Sequence, residues 1–269
     1  MTEPAQGSLA GLGILVTRPE AQARELIRAL EARGARVLHL PALEIAPPAD
    51  PRTARRRLED WRRYDLAIFV SANAVRGALG LLGGGLPPGP ELAAVGPATA
   101  RTLAEAGAQA VQVPERADSE GLLALPRLRQ VAGERILIVR GEGGREHLAR
   151  ELAARGARVA YAEVYRRRPA AVDPGPILAR WRSGEISLVI ATSAESLAAL
   201  ATVLGPAGRP LLQGTPLVVI SDAMIQRARA LGIRAALVRC PGAGSDTLTR
   251  CIENWYRAPD QAGNLTDDG

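Results

Sequence analysis

VTRPEAQARELIRALEARGARVLHLPALEI (16–45) and VRGEGGREHLARELAARGARVAYAEVYRRR (139–168) are two copies of one pattern. In gapless register Arg18 falls on Arg140, Leu26 on Leu148, Leu30 on Leu152 and ARGARV (32–37) on ARGARV (154–159), 122 places apart. The same offset carries VSANAVRGALGLLG (70–83) onto ATSAESLAALATVLG (191–205), with Ser71 on Ser193 and Gly83 on Gly205. At an offset of 125, AAVGPATARTLAEAG (93–107) meets VVISDAMIQRARALG (218–232). Ser119 in DSEGLLAL answers Ser245 in GSDTLTRC. One such match in an Ala-rich chain is chance; several in the same order are the mark of a duplication, which has to be read before any element.

Each copy alternates strand and helix. ILV (14–16) is a short apolar run, and Ala23, Leu26, Ile27 and Leu30 then recur on one helix face. Gly34 is a helix stop, and RVLHL (36–40) is the next strand. LAIFV (66–70), LAAV (92–95), RILIV (135–139), SLVIA (187–191), PLVVI (216–220) and ALVR (236–239) each lead into a helical pattern. Apolar strands alternating with amphipathic helices predict parallel sheets covered on both faces. The fold class is therefore α/β, with two similar doubly wound parallel-sheet domains. PPAD (47–50), GGGLPPGP (83–90) and PAAVDPGP (169–176) read as loops or linkers. The tail, RAPDQAGNLTDDG (257–269), is polar and is expected to be disordered.

Composition narrows the chemistry. The chain has 269 residues, 47% of them apolar and 23% charged, the balance of a soluble globular protein. No run approaches the ~18 apolar residues of a membrane span. MTEPAQGSLAG lacks a basic and apolar leader, so a cytoplasmic protein with no membrane partner is expected. Cys240 and Cys251 cannot build a disulfide framework, and with His39 and His147 as the two histidines a zinc site is not expected. All 34 basic residues are arginine, which excludes a Schiff-base lysine and the P-loop and kinase phosphate lysines. GEGG (141–144) lacks the spacing of a dinucleotide fingerprint. A net charge of +6 favours an anionic partner, but few aromatics and no recognisable nucleic-acid motif argue against nucleic acid. Arg55–Arg57, Arg62–Arg63 and Arg166–Arg168 read as solvated faces.

The polar residues that remain sit where open parallel sheets bind ligands, in the turns after the strands. Those turns hold Thr17 and Arg18; Ser71 and Asn73; Gly96 and Thr99; Arg140, Gly143, Gly144 and Arg145; Thr192 and Ser193; and Ser221 with Asp222. Small hydroxyl and glycine residues there expose backbone N–H groups at the positive ends of helix dipoles, an anion cradle. Each is also an ordinary helix cap.

At these turns the sequence resembles the uroporphyrinogen-III synthase family, which closes the linear hydroxymethylbilane into a macrocycle. The matching segments are VTRPEAQ (16–22), FVSANAV (69–75), AAVGPATARTL (93–103), RILIVRGEGGREHL (135–148), EVYRRRP (163–169), ATSAES (191–196) and GSDTL (244–248). They follow the family's order from about residue 12 to 256, and SDAMIQRARALG (221–232) departs by lacking a second glycine–threonine turn. The resemblance implies two domains joined by a two-stranded ladder, with RVLHLPALEI (36–45) and RVAYAEVYRR (158–167) as the crossing strands. It places residues 1–40 plus 168–269 in the first domain and 41–167 in the second. It also implies a reaction without metal or cofactor: loss of the terminal hydroxyl as water, attack by ring D through its substituted carbon, and reclosure with ring D inverted. Tyr165 matches the family's tyrosine and would assist the departing hydroxyl, since a phenol stays protonated at neutral pH. Tyr161, four residues earlier on the same strand, shares its face by strand alternation and competes for the role. The substrate's carboxylates would account for the cradles at Ser71, Asn73, Gly96, Thr99, Gly143, Gly144, Thr192, Ser193 and Ser221 and for Arg18, Arg140 and Arg145. An internal ion pair is the equal alternative for each arginine. A monomer that receives substrate from the preceding enzyme is expected. The rival reading is a non-catalytic two-domain binder of small anions; an enzyme that uses a nucleotide is the other.

Overall fold

The computed structural model describes residues 7–257. The tail expected to be disordered lies, after Arg257, outside the described residues. The chain divides into two compact units, Met1–Glu44 with Arg168–Gly269, and Ile45–Arg167.

The chain opens with β1 (Gly13–Val16), α1 (Glu20–Glu31) and β2 (Arg36–His39). β3 (Leu43–Ala46) then carries it into the second unit: α2 (Pro51–Glu59), β4 (Leu66–Phe69), α3 (Ala72–Leu82), β5 (Glu91–Ala94), α4 (Pro97–Glu105), α5 (Ser119–Ala124), α6 (Pro126–Arg129), β6 (Arg135–Gly141), α7 (His147–Ala154) and the long β7 (Arg158–Pro169). Back in the first unit follow α8 (Gly175–Arg182), β8 (Leu188–Ile190), α9 (Ala194–Gly214), β9 (Leu217–Val219), α10 (Asp222–Ala230), β10 (Leu237–Arg239) and α11 (Ser245–Arg257).

One sheet has the order β10-β9-β8-β1-β2 and pairs parallel throughout. The other has the order β3-β7-β6-β4-β5, in which β7, β6, β4 and β5 pair parallel. Under the duplication β1 matches β6, β2 matches β7, β8 matches β4 and β9 matches β5, so four strands of each sheet share one order, with β10 and β3 added at opposite ends. Each sheet is assembled from the first half of one repeat and the second half of the other. Both faces of both sheets are covered. Leu15, Val189 and Val219 face one core while Ile14, Leu188 and Val218 face the next. Leu137 and Phe69 against Ile138 and Ile68 do the same in the second unit. That two-sided burial is why these strands are apolar runs rather than alternating ones.

One expectation is corrected here, and two features are added to it. RVLHLPALEI is not one strand: β2 and β3 belong to different sheets, separated by Leu40–Ala42. Pro41 has no N–H to give, and the backbone continues beside β1 through Leu40 and Ala42, whose N–H groups donate to Val16 and Thr17. The two cysteines do meet. Cys240, just after β10, is bonded to Cys251 because α11 folds back over its own strand. Finally, α9 runs on through GPAGRP, bending at Gly205, whose φ of 61° and ψ of −166° lie outside the helical region.

Candidate functional site

Each sheet changes its winding at one place. α1 packs on one face of its sheet and α9 on the other; α7 and α3 divide the second sheet in the same way. The crevices outside the carboxyl ends of β1 and β8, and of β6 and β4, are the switch points at which such sheets bind ligands. Thr17, Arg18, Thr192 and Ser193 follow the strands of the first, and Ser71, Asn73, Arg140, Gly143, Gly144 and Arg145 those of the second. Thr17 ties its pair together, its backbone N–H and Oγ1 both donating to the Ile190 carbonyl at 3.2 and 2.8 Å.

The turns differ in how much they leave free. Ser71 Oγ accepts from Ala74 N at 3.0 Å, and Ser193 and Ser196 form a reciprocal capping box. Gly96 and Ser221 occupy the same N-cap position before α4 and α10 with no side-chain cap bond. First-turn N–H groups there lack a side-chain acceptor, and Thr99, one turn in, is buried. Asn73 Oδ1 accepts from Arg76 at 3.3 Å.

Tyr165 is 4% exposed, and its phenol oxygen lies 3.2 Å from Ser71 Oγ. Two glycines, neither of them among the expected site residues, make room for this contact. A Cβ on Gly141 would stand 2.6 Å from the Tyr165 ring, and one on Gly77 would stand 2.6 Å from the Val164 carbonyl. α3, which carries Ser71, thus packs directly on the backbone of β7. Tyr161 does not share Tyr165's face. The register shifts from Arg140↔Glu163 to Gly141↔Tyr165, leaving one extra residue on β7. This bulge puts Val164 and Tyr165 together in the α3-side core, whereas Tyr161 packs against the opposite one.

Tyr161 serves Arg140 instead. The Arg140 guanidinium, in a residue 7% exposed, stacks 3.6 Å over the Tyr161 ring. Nε and Nη2 donate to Glu163 at 3.2 and 2.9 Å, and Nη1 reaches Glu146 at 2.9 Å and the Gly144 carbonyl at 3.2 Å. Tyr161 donates to Glu146 at 2.5 Å. Burial first, then that carboxylate, pushes the Tyr161 phenol up to about 12. The same phenol, with Arg140, holds Glu146 below the usual carboxylate range. This network borders a cavity of about 530 Å³ that Asp50, Thr53 and Glu142 also line. Arg145 is exposed.

Arg18 differs: its Nε is buried without a hydrogen-bond partner. Burial lowers its pKa against the opposing field of Glu25. Arg166, read from sequence as part of a solvated face, also has a buried Nε without a partner, while Arg168 pairs with Glu44 at 2.5 Å. Among the described residues no cluster of three or more His, Cys, Asp or Glu could hold a metal ion, and no helix is long and apolar enough to cross a membrane.

The family model described as uroporphyrinogen-III synthase HemD matches residues 24–240. The chain belongs to the uroporphyrinogen-III synthase family. The uroporphyrinogen-III synthase of Escherichia coli K12 is 34% identical over 247 residues, covering 90% of this chain and all of that protein. The one from Synechococcus elongatus is 32% identical over 199 residues, covering 72% and 75% of the two chains. Among solved structures, a mutant uroporphyrinogen III synthase from Thermus thermophilus shares the fold with a TM-score of 0.54 at 21% identity, over 93% of this chain and all of that one. The Helicobacter pylori enzyme does so with a TM-score of 0.52 at 15% identity, over 90% and 97%. The two-domain α/β architecture is thus the family's own.

Proposed function

We propose that this family member, a lyase of tetrapyrrole biosynthesis, makes uroporphyrinogen III by folding linear hydroxymethylbilane until its two ends meet, with Tyr165 assisting the departure of water. The contact of 3.2 Å between the Tyr165 phenol and Ser71 Oγ carries this reading. Ser71 Oγ already accepts the Ala74 N–H, so its own proton can be donated to the phenol oxygen. The phenol proton is then left to point at the substrate's terminal hydroxyl. Departure of that hydroxyl as water leaves an azafulvene cation. Ring D attacks the cation through its substituted carbon, and the spiro intermediate reopens and recloses with ring D inverted.

The folding is assigned to the turns. Uncapped N–H groups at Gly96 and Ser221, the Gly143–Gly144 turn, and Asn73, Thr99, Thr192, Ser193, Arg18 and Arg145 are the candidate holders of the carboxylates. Orientation of this kind supplies up to ~7–11 kcal/mol of a barrier. Assistance by a positioned acid adds ~10²–10⁴-fold. No step requires a metal or cofactor. We further take the enzyme to be a cytoplasmic monomer that receives its substrate, which also cyclises unaided, from the enzyme that makes it.

Tyr165→Phe is the test, because it removes one oxygen and keeps the ring on Gly141. The rate of III-isomer formation should fall by roughly 10–10³-fold. Stability should change by no more than ~0.5–1.5 kcal/mol, one hydrogen bond. An unchanged rate would return Tyr165 to packing and leave the chemistry to backbone donors.

A further inference from the structure

The duplication places Arg18 and Arg140 at equivalent positions, yet the two guanidiniums are in opposite situations. Arg140 spends its donors on Glu163, Glu146 and the Gly144 carbonyl, and its face on Tyr161. In the first repeat the positions equivalent to Glu146, Tyr161 and Glu163 hold Arg24, His39 and Pro41. Both clamping carboxylates are therefore gone. Arg24 turns back to Glu20 at 3.2 Å, and His39 Nε2 lies 2.8 Å from the Arg18 backbone carbonyl rather than under the guanidinium. Glu25, whose field Arg18 feels, accepts a hydrogen bond from Ser245 at 3.1 Å. What remains is a half-buried guanidinium that no carboxylate clamps, its Nε buried without a partner, one residue past the Thr17–Ile190 tie at the switch point. The terminal nitrogens of such a planar cationic fork can take a carboxylate in two parallel hydrogen bonds.

We propose that the repeats have divided the labour of one arginine: Arg18 binds a carboxylate of the linear tetrapyrrole, whereas Arg140 binds none and is a positioning residue that fixes the 141–146 turn. This rests on the reading above, and it narrows the set of arginines that touch substrate. The two roles predict opposite responses to removing the carboxylate beside Arg140. If Arg140 held substrate, Glu163→Gln would free it and tighten the binding of an anion. As a clamp, it loses its anchor.

The experiment measures kcat, KM and its salt dependence, and the melting temperature without substrate for the wild type, Arg18→Gln and Glu163→Gln. Arg18→Gln should raise KM by about tenfold with kcat changed less than about threefold, the effect of one charge-assisted contact. Its KM should depend less steeply on salt than that of the wild type. Its melting temperature should hold or rise, because a buried donor without a partner has been removed. Glu163→Gln should lower kcat and the melting temperature and leave KM near its wild-type value. An unmoved KM or a lowered melting temperature in Arg18→Gln, or a lowered KM in Glu163→Gln, would overturn the assignment. A wild type that makes no III isomer would instead overturn the reading on which it rests.

Discussion

Four residues separate Tyr161 from Tyr165, and one unpaired residue puts them on opposite faces of the sheet. Strand alternation keeps parity only while the ladder is unbroken, and a bulge reverses it for everything beyond. Composition gave little sign of this bulge beyond Gly141, whose lack of a side chain is what the Tyr165 ring needs. Gly141→Ala should accordingly displace that ring, lowering the rate about as far as Tyr165→Phe and costing ~1–3 kcal/mol of stability from overpacking. Turnover and a denaturant melt read the two effects separately. Tyr161→Phe should leave the rate nearly alone, and its phenol should show itself in an alkaline titration instead. Its pKa is raised in the folded state from the usual 10 to about 12, so the stability it contributes is complete below about pH 10 and is lost as pH rises towards 12. An absorbance titration of tyrosinate should lose a component near pH 12 in Tyr161→Phe. Retention of that component would place Tyr161 outside the Arg140 network.

At the scale of elements, the strands were readable because burial on both faces makes them continuous apolar runs, and the helices because they keep one apolar face. What could not be read was which element touches which. α3 meets β7 through Gly77, and no periodicity marks a glycine in a helix as a point of close approach. A Cβ at 2.6 Å from a backbone oxygen cannot be relieved by a rotamer change, so Gly77→Ala should push α3 away from β7. The expected cost is ~1–3 kcal/mol, set against the gain of up to ~1 kcal/mol that alanine gives an ordinary helix interior. Because α3 carries Ser71, activity should fall together with the melting temperature. A more stable and fully active Gly77→Ala would show that the approach is not needed. The split of 36–45 into β2 and β3 was hidden for a related reason: both pieces are extended, and only the sheet each joins tells them apart.

For the whole molecule, the duplication seen in the sequence is written into the backbone. Gly34 and Gly156 share φ values of 88° and 87°, Gly83 and Gly205 take 82° and 61°, and Gly107 and Gly232 take 93° and 73°. Each glycine takes a positive φ where a helix ends or bends, a backbone conformation that favours glycine over any residue with a Cβ. Ser71 and Ser193 cap their helices through the same backbone conformation. The candidate turns could be picked out from sequence because small polar residues and glycines follow the apolar strand runs, whereas the exchange of halves between the two units was implied by family resemblance and not by the repeat. If these turns hold the carboxylates of the substrate as proposed, that holding decides which macrocycle forms. Hydroxymethylbilane should be incubated with the enzyme after exhaustive chelation and without nucleotide, and the products resolved by isomer. Uroporphyrinogen III should be the dominant product; the I isomer alone, at the rate seen without protein, would contradict the proposed function.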